Sequence, residues 1–141
     1  NDAIGLLDAG NVGAAGLIVY HYSLPDTPAN DFLTSEYQAR FNGYPDLFSE
    51  CGFATAQAVV EALNITEGDA EAATLRSALQ GLTFEGPKGT YVIRAEDHQA
   101  LAAMYIVELI SVDDPDPRFF RLVDTVDGQT SAPPCTATNC P

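Results

Sequence analysis

Residues 14–63 read AAGLIVYHYSLPDTPANDFLTSEYQARFNGYPDLFSECGFATAQAVVEAL, and this stretch decides the fold class. It opens with a run rich in β-branched and aromatic residues, which predicts a buried strand over residues 14–22. The prolines of SLPDTP end that strand. Apolar residues then recur every four positions, and they predict a helix that Asn30 or Asp31 caps and that ends at NGYP. A strand followed by helices indicates an α/β protein.

The rest of the chain continues the alternation of helices and strands. Small and apolar residues surround most of the segment 46–65, which predicts a helix buried around most of its circumference. A third helix is predicted over residues 69–80. Three runs have the composition of strands, and the first two are expected to pair as a hairpin. The runs are residues 91–93, 104–110 and 118–123.

Charge and composition exclude several classes of function. The 141 residues include 20 acidic and 6 basic side chains, so the net charge is -14 and the surface repels phosphate backbones and anionic lipid headgroups. Nucleic acid is therefore not expected as a partner. The longest apolar runs fall short of the ~20 residues that a membrane-spanning helix needs. The sequence contains no phosphate-binding loop, GxGxxG, G-x-S-x-G or H-E-x-x-H, so we predict neither an enzyme nor a cofactor.

The three cysteines are unevenly distributed. Cys135 and Cys140 lie in the terminal segment PPCTATNCP, whereas Cys51 is in mid-chain. The terminal pair offers too few ligands for a structural zinc site, and a local disulfide in an oxidising compartment fits it better. The alternative is a pair of free thiols in a disordered tail. Cys51 is expected to be a buried, inert thiol.

A charged cluster occupies residues 94–98, where Arg94, Glu96, Asp97 and His98 are close neighbours in the chain. A metal or catalytic site needs side chains that converge on one point, but near-consecutive residues in a turn point in different directions. The cluster therefore predicts a surface turn between two strands, in which Asp97 bonds its own backbone.

The order of the motifs resembles the C-terminal part of the periplasmic solute-binding proteins of branched-chain amino acid ABC transporters. The shared features are a G-[LIV]-[IV] strand, a proline-containing loop, an aromatic-rich helix before Pro45, a small-residue helix that ends in EAL, and an F-x-G-P-x-G step into a strand followed by DHQ. None of these features is specific alone. Their order over about 120 residues carries the resemblance.

The resemblance implies a partial α/β fold of the periplasmic binding protein type I class. Members have two α/β lobes that are joined by three crossovers and hold the ligand in the cleft between them. This chain would be a C-terminal fragment of such a protein and would contain the C-terminal portions of both lobes. The expected divisions are 1–17, the end of the second lobe; 18–88, a strand and three helices of the first lobe; 89–126, a hairpin and strand of the second lobe; and 127–141, a tail.

Two segments are candidates for the ligand site. The rings of VYHYS come at the end of a predicted strand, where open α/β sheets place ligands, although they could instead pack against the sheet. LFSEC begins a predicted helix, whose free N–H groups attract polar ligand atoms, although Ser49 could be a helix cap only. We expect one cleft to be lined by Tyr20, His21, Tyr22, Phe48, Ser49 and Glu50.

The resemblance also implies a function. The chain would belong to the extracytoplasmic substrate-binding component of an ABC transporter, periplasmic or lipid-anchored, which binds a branched-chain or aromatic amino acid or a similar small carboxylate. Its partners would be the solute, the membrane permease and the N-terminal remainder of the same protein. The alternative is an amide- or urea-type sensory ligand-binding domain of the same fold, and a small hydrolase is a weaker rival.

Overall fold

The computed structural model describes residues 8–112, 118–135, 138 and 140 of the chain. Helices and antiparallel strands alternate along it, in the α/β arrangement that the sequence predicts. The elements are β1 (Ala15–Ile18), α1 (Pro28–Phe41), α2 (Leu47–Ile65), α3 (Ala72–Leu79), β2 (Thr83–Gly86), β3 (Gly89–Ile93), β4 (Ala100–Leu101), β5 (Met104–Leu109) and β6 (Phe120–Val126).

The strands form two separate sheets. Sheet I has the order β1-β5-β6, and sheet II has the order β2-β3-β4; every pairing is antiparallel. The predicted hairpin between residues 91–93 and 104–110 is therefore wrong, because those strands lie in different sheets. The physical reason is local: Pro87 and Lys88 form a tight turn between β2 and β3, with Gly86 opposite Gly89, so β3 pairs first with β2.

The strand pairing bears on the expected division into lobes, which stays a prediction. The expected boundary between residues 88 and 89 falls in the turn that joins two paired strands of sheet II. The chain passes from sheet II to sheet I later, between β4 and β5, at Ala102 and Ala103. Gly128 of the tail packs on this passage, because a Cβ built on Gly128 would lie 2.6 Å from the backbone nitrogen of Ala102.

The first strand is shorter than predicted. β1 ends at Ile18 rather than at residue 22, so Tyr20, His21 and Tyr22 lie in the connection to α1 and not in a strand. Asn30 causes this early departure. Its buried amide donates to the carbonyl of Tyr22 at 2.8 Å and to the carbonyl of Pro25 at 3.2 Å, which folds the connection back onto α1.

The caps of the first two helices differ in how well the sequence predicts them. Thr27, and not Asn30 or Asp31, caps α1: its hydroxyl oxygen accepts from the Asn30 backbone N–H at 3.1 Å. Pro28 at the first helical position suits this start. For α2, the predicted cap is confirmed, since Asp46 accepts from the Ser49 backbone N–H at 2.8 Å.

The predicted burial of α2 is wrong for much of its circumference. One stripe is buried, and Val59 and Val60 beside it are 42% and 54% exposed. The stripe contains Glu50, Ala54, Ala58 and Ala62. Alanine side chains are small, so this face of α2 lies close to sheet II, where Ala54 and Ala58 pack with Leu82, Phe84 and Tyr91. α3 begins at Ala72, later than the predicted residue 69.

The charged cluster at residues 94–98 forms the predicted turn, between β3 and β4. Arg94 pairs with Asp97, and Asp97 also accepts from the backbone N–H of Gln99 at 3.1 Å. The turn is tied to the tail, because Arg94 donates to the carbonyl of Pro133 at 3.0 Å. In that tail, a disulfide joins Cys135 and Cys140, whose Cα atoms are 5.7 Å apart. Within the part of the chain that the structure describes, no helix has the length and apolar character needed to cross a membrane.

Candidate functional site

A buried carboxylate marks the candidate site. Glu50 lies in the first turn of α2 and is 1% exposed, because the helix turns this position toward sheet II. The hydroxyl of Tyr91, on β3, donates to one Glu50 oxygen. The other oxygen lies 3.7 Å from the thiol of Cys51. The expected burial of Cys51 is wrong, because this residue follows Glu50 on α2 and is exposed. A buried ionised carboxylate costs free energy unless it is paired or hydrogen-bonded, so these partners are what keeps Glu50 in place.

Lys88 is the cation that faces Glu50. It is the sole lysine of the sequence, and its side chain is 7% exposed at the tip of the β2–β3 turn. Its Nζ lies 3.9 Å from Glu50 Oε2 and 5.6 Å from the centre of the Tyr91 ring. At 3.9 Å the two charges attract each other but are beyond hydrogen-bond distance. The turn is held against α1, because the Thr27 hydroxyl donates to the carbonyl of Pro87 at 2.8 Å.

Three buried tyrosines share the electrostatic environment of Glu50. Burial first, and then the hydrogen bond to Glu50 and its negative charge, raise the pKa of Tyr91 above its ordinary 10.0. Burial and the charge of Glu50 likewise raise the pKa of Tyr20, and they raise the pKa of Tyr105 to about 12. Each phenol is therefore held protonated in the folded state.

A cavity of about 510 Å³ opens beside this cluster. Glu50, Lys88 and Tyr91 stand in its wall, and most of the remaining wall is apolar. The apolar side chains come from α2, α3 and sheet II, with Met104 from sheet I and Ala132 and Pro133 from the tail. A cavity of this size with a few polar groups is typical of a small-molecule site. Among the described residues, no group of three or more His, Cys, Asp or Glu side chains is placed to hold a metal ion.

Comparison with known proteins gives the family. A family model described as periplasmic binding protein matches residues 2–114, which is most of the chain. The chain belongs to the periplasmic binding protein family. No curated protein matches it.

Solved structures agree with this assignment. An ABC-type branched-chain amino acid transporter protein from Rhodopseudomonas palustris CGA009 is 35% identical, with a TM-score of 0.80 over 91% of this chain and 34% of the other. A Rhodopseudomonas palustris BisB5 solute-binding protein in complex with 3,4-dihydroxybenzoic acid is 22% identical, with a TM-score of 0.74 over 90% of this chain and 34% of the other.

The fold likeness extends to a protein that is named for the amino acids it binds. The leucine-, isoleucine-, valine-, threonine- and alanine-binding protein of Brucella ovis, in a closed conformation, is 21% identical, with a TM-score of 0.75 over 95% of this chain and 37% of the other. At this identity the likeness shows the fold alone. This chain of the periplasmic binding protein family spans about a third of the length of the structures that it matches.

The structure places the three predicted aromatic residues of the β1–α1 connection inside the protein. Tyr20, His21 and Tyr22 are all buried. The hydroxyl of Tyr20 donates to Asn30 at 2.8 Å, and the ring of Tyr22 stacks on Tyr44 with a centroid distance of 4.1 Å. His21 Nδ1 is 2.8 Å from the hydroxyl of Ser23. These side chains thus have protein partners within this chain.

The second predicted segment is divided between two environments. Glu50 is enclosed and lines the cavity, whereas Phe48 is 81% exposed, two residues earlier on α2 and so on the opposite side of the helix. Ser49 takes part in the cap, because its hydroxyl also donates to Asp46 at 2.8 Å. Of the six predicted residues, Tyr20 and Glu50 are brought into one electrostatic cluster. A cleft shared by all six residues stays a prediction.

The sequence interpretation missed Lys88, Tyr91 and Asn30. Lys88 and Tyr91 follow Glu50 by about 40 positions, so no local pattern connects them with it. One feature of the sequence could have pointed to Lys88. It is the single lysine of a strongly acidic chain, and it lies between Pro87 and Gly89, which favour a tight turn. Asn30 gave no such signal, because an asparagine before a helical pattern is usually a cap.

Proposed function

We propose that this chain is part of an extracytoplasmic substrate-binding component of an ABC transporter, which binds a branched-chain or aromatic amino acid or a similar small carboxylate between two lobes. The family match supports the class of function. Two proteins of similar structure, a branched-chain amino acid transporter protein and a solute-binding protein in complex with 3,4-dihydroxybenzoic acid, support the solute class. The proposal concerns binding and delivery to a membrane permease, not catalysis.

One observation carries this proposal beyond the fold. Glu50 and Lys88, two buried opposite charges, stand in the wall of an otherwise largely apolar cavity. An amino acid with an apolar side chain needs both elements: charges for its head group and an apolar surface for its side chain. The extracytoplasmic location that the family implies is also where disulfides such as Cys135–Cys140 persist.

We further propose that the two sheets belong to different lobes, with sheet II and the three helices in one lobe and sheet I in the other. The passages between them would then be the β1–α1 connection and residues 102–103. A solute that contacts both lobes would shift the population from an open to a closed arrangement. The size of this shift is set by the difference between the solute's affinities for the open and the closed arrangement.

Titration calorimetry tests this function. The protein, expressed from its whole reading frame, would be titrated with leucine, valine, phenylalanine and benzoate, and with acetamide and urea as representatives of the alternative. Saturable heat from an amino acid or aromatic carboxylate, with a Kd in the micromolar range or below, is the expected result. Binding of acetamide or urea alone would favour a sensory domain. If no compound of the panel gave a heat of binding, the result would contradict both the transport function and the sensory alternative.

A further inference from the structure

We propose that residues 127–133 form a strap that connects sheet I with sheet II and restricts the movement of one sheet relative to the other. The strap begins directly after β6 of sheet I and is anchored at two points, Gly128 and Pro133. This inference rests on the proposed assignment of the two sheets to different lobes. It goes beyond the proposed function, because it assigns to the tail a limit on how far the lobes can separate.

The first anchor of the strap is Gly128, which is buried two positions after the end of β6. A Cβ built on Gly128 would lie 2.6 Å from the backbone nitrogen of Ala102 and 2.7 Å from its Cα, so only a glycine fits this close to the neighbouring backbone. Ala102 in turn packs against the apolar core of sheet II. This anchor therefore joins the end of sheet I to the passage by which the chain leaves sheet II.

The second anchor is the carbonyl of Pro133, which accepts from Nη1 of Arg94 at 3.0 Å. Arg94 follows β3 of sheet II, and its side chain is 18% exposed. Asp97 holds the guanidinium in place, because its two carboxylate oxygens accept from Nε at 2.8 Å and from Nη2 at 2.5 Å. Two parallel bonds fix the plane of a guanidinium group. Arg94 is thus a positioning residue that presents its remaining donor to the strap.

Hydrogen bonds within the strap keep it from lengthening. The carboxylate of Asp127 accepts from the backbone N–H groups of Gln129 and Thr130, at 2.8 Å and 3.2 Å. The carbonyl of Asp127 accepts from the backbone N–H of Ser131 at 2.9 Å. An extended segment would lose these bonds. A displacement of sheet I relative to sheet II is therefore transmitted to the second anchor instead of being absorbed within the strap.

The second anchor responds to small displacements. A hydrogen bond of 3.0 Å is lost once its atoms separate by about a further 0.5 Å, so the bond between Arg94 and Pro133 opposes even a slight movement of the turn away from the tail. The disulfide between Cys135 and Cys140 closes a loop within the tail and connects it to neither sheet. Loss of the second anchor should consequently widen the range of lobe arrangements that the unliganded protein samples.

The test measures the distance between the two lobes by double electron–electron resonance on the unliganded protein, expressed from its whole reading frame. Spin labels would be attached to Glu61→Cys on α2 and Thr125→Cys on β6, which are both exposed in this chain. The labelled parent also carries Cys51→Ser, because Cys51 is a free thiol.

Two variants of the labelled parent remove the second anchor in different ways. Arg94→Met removes the donor. Truncation after Ser131 removes the acceptor, Pro133, but leaves Gly128 and the Arg94–Asp97 pair in place. Arg40→Met is the matched control, since Arg40 pairs with Glu36 on the exposed surface of α1.

We expect the distribution of label-to-label distances to become roughly half as wide again or more in both variants, and to stay unchanged in Arg40→Met. If Arg94→Met fails to fold, the truncated variant gives the decisive distribution. Equal widths in the labelled parent and in the variants would overturn the strap. Widening in only one of two folded variants would also overturn it, because both variants lose the same bond. Neither result depends on a solute, so the proposed function is tested separately by the calorimetric panel.

Discussion

Replacing Tyr91 with phenylalanine removes one hydroxyl group from the buried cluster and leaves its ring, which stacks on Phe84 at a centroid distance of 5.0 Å. The lost group is the donor to Glu50, which is 1% exposed. A hydrogen bond to a charged group contributes about 1.5–3 kcal/mol. We therefore expect Tyr91→Phe to lower the free energy of unfolding at pH 7 by about 1.5–3 kcal/mol.

The difference in free energy of unfolding between the wild type and Tyr91→Phe should depend on pH. Below pH 10 the Tyr91 phenol is protonated in both the folded and the unfolded chain, so its titration has no effect on stability. Above pH 10 the unfolded phenol ionises while the folded one, with its raised pKa, stays protonated. Stability is therefore lost as pH rises, by about 1.4 kcal/mol per pH unit for each such phenol.

Tyr20 and Tyr105 also have raised pKa values, and both proteins keep them, so the wild type has one more phenol of this kind than the variant. The stability of the wild type should thus fall more steeply with pH, and the two curves should approach each other by about 1.4 kcal/mol per pH unit above pH 10.

The assay is urea unfolding followed by far-ultraviolet circular dichroism at pH 7 and at several values between pH 9.5 and 11. Absorbance at 295 nm counts the tyrosines that ionise before unfolding. Tyr37→Phe is the matched control, since Tyr37 lies half-buried on α1, where its ring packs on Phe41. Equal stability of Tyr91→Phe and wild type at pH 7, or parallel curves above pH 10, would refute the role that we assign to the Tyr91–Glu50 bond.

Four further outcomes are expected. Alkylation without reductant should leave Cys135 and Cys140 unlabelled, and labelling of both would contradict the disulfide. His98→Ala should change stability by under ~1 kcal/mol and leave solute affinity unaltered in thermal melts with and without solute, as expected for an exposed turn residue. Phe48→Ala should leave stability within about 0.5 kcal/mol but weaken binding of an apolar amino acid by ~1–3 kcal/mol in calorimetry, and unchanged affinity would remove Phe48 from the site. Gly128→Ala should destabilise by about 1–3 kcal/mol in urea unfolding, because its Cβ would overlap backbone atoms, and a neutral result would show that the tail can move aside.

Local signals in the sequence determined several elements. Asp46 followed by a small-residue segment gave the start of α2, because a capping carboxylate and a helical pattern act within a few residues. The turn at Asp97 is likewise local, since its carboxylate bonds the backbone two positions later. The order of the motifs gave the family, which the match over residues 2–114 confirms.

Only the tertiary structure decided which strands pair and which side chains meet. The sequences of β3 and β5 both have the composition of strands, but the two strands belong to different sheets. The composition of a strand does not determine its partner, because pairing depends on which other strands the fold places beside it. Glu50 is joined to Tyr91 across 41 positions of chain. A helical repeat shows which face of α2 is apolar, yet it does not show that the lysine of a distant turn will lie over that face. The sequence thus determines structure where the interacting groups are neighbours in the chain, and the candidate site arises where they are not.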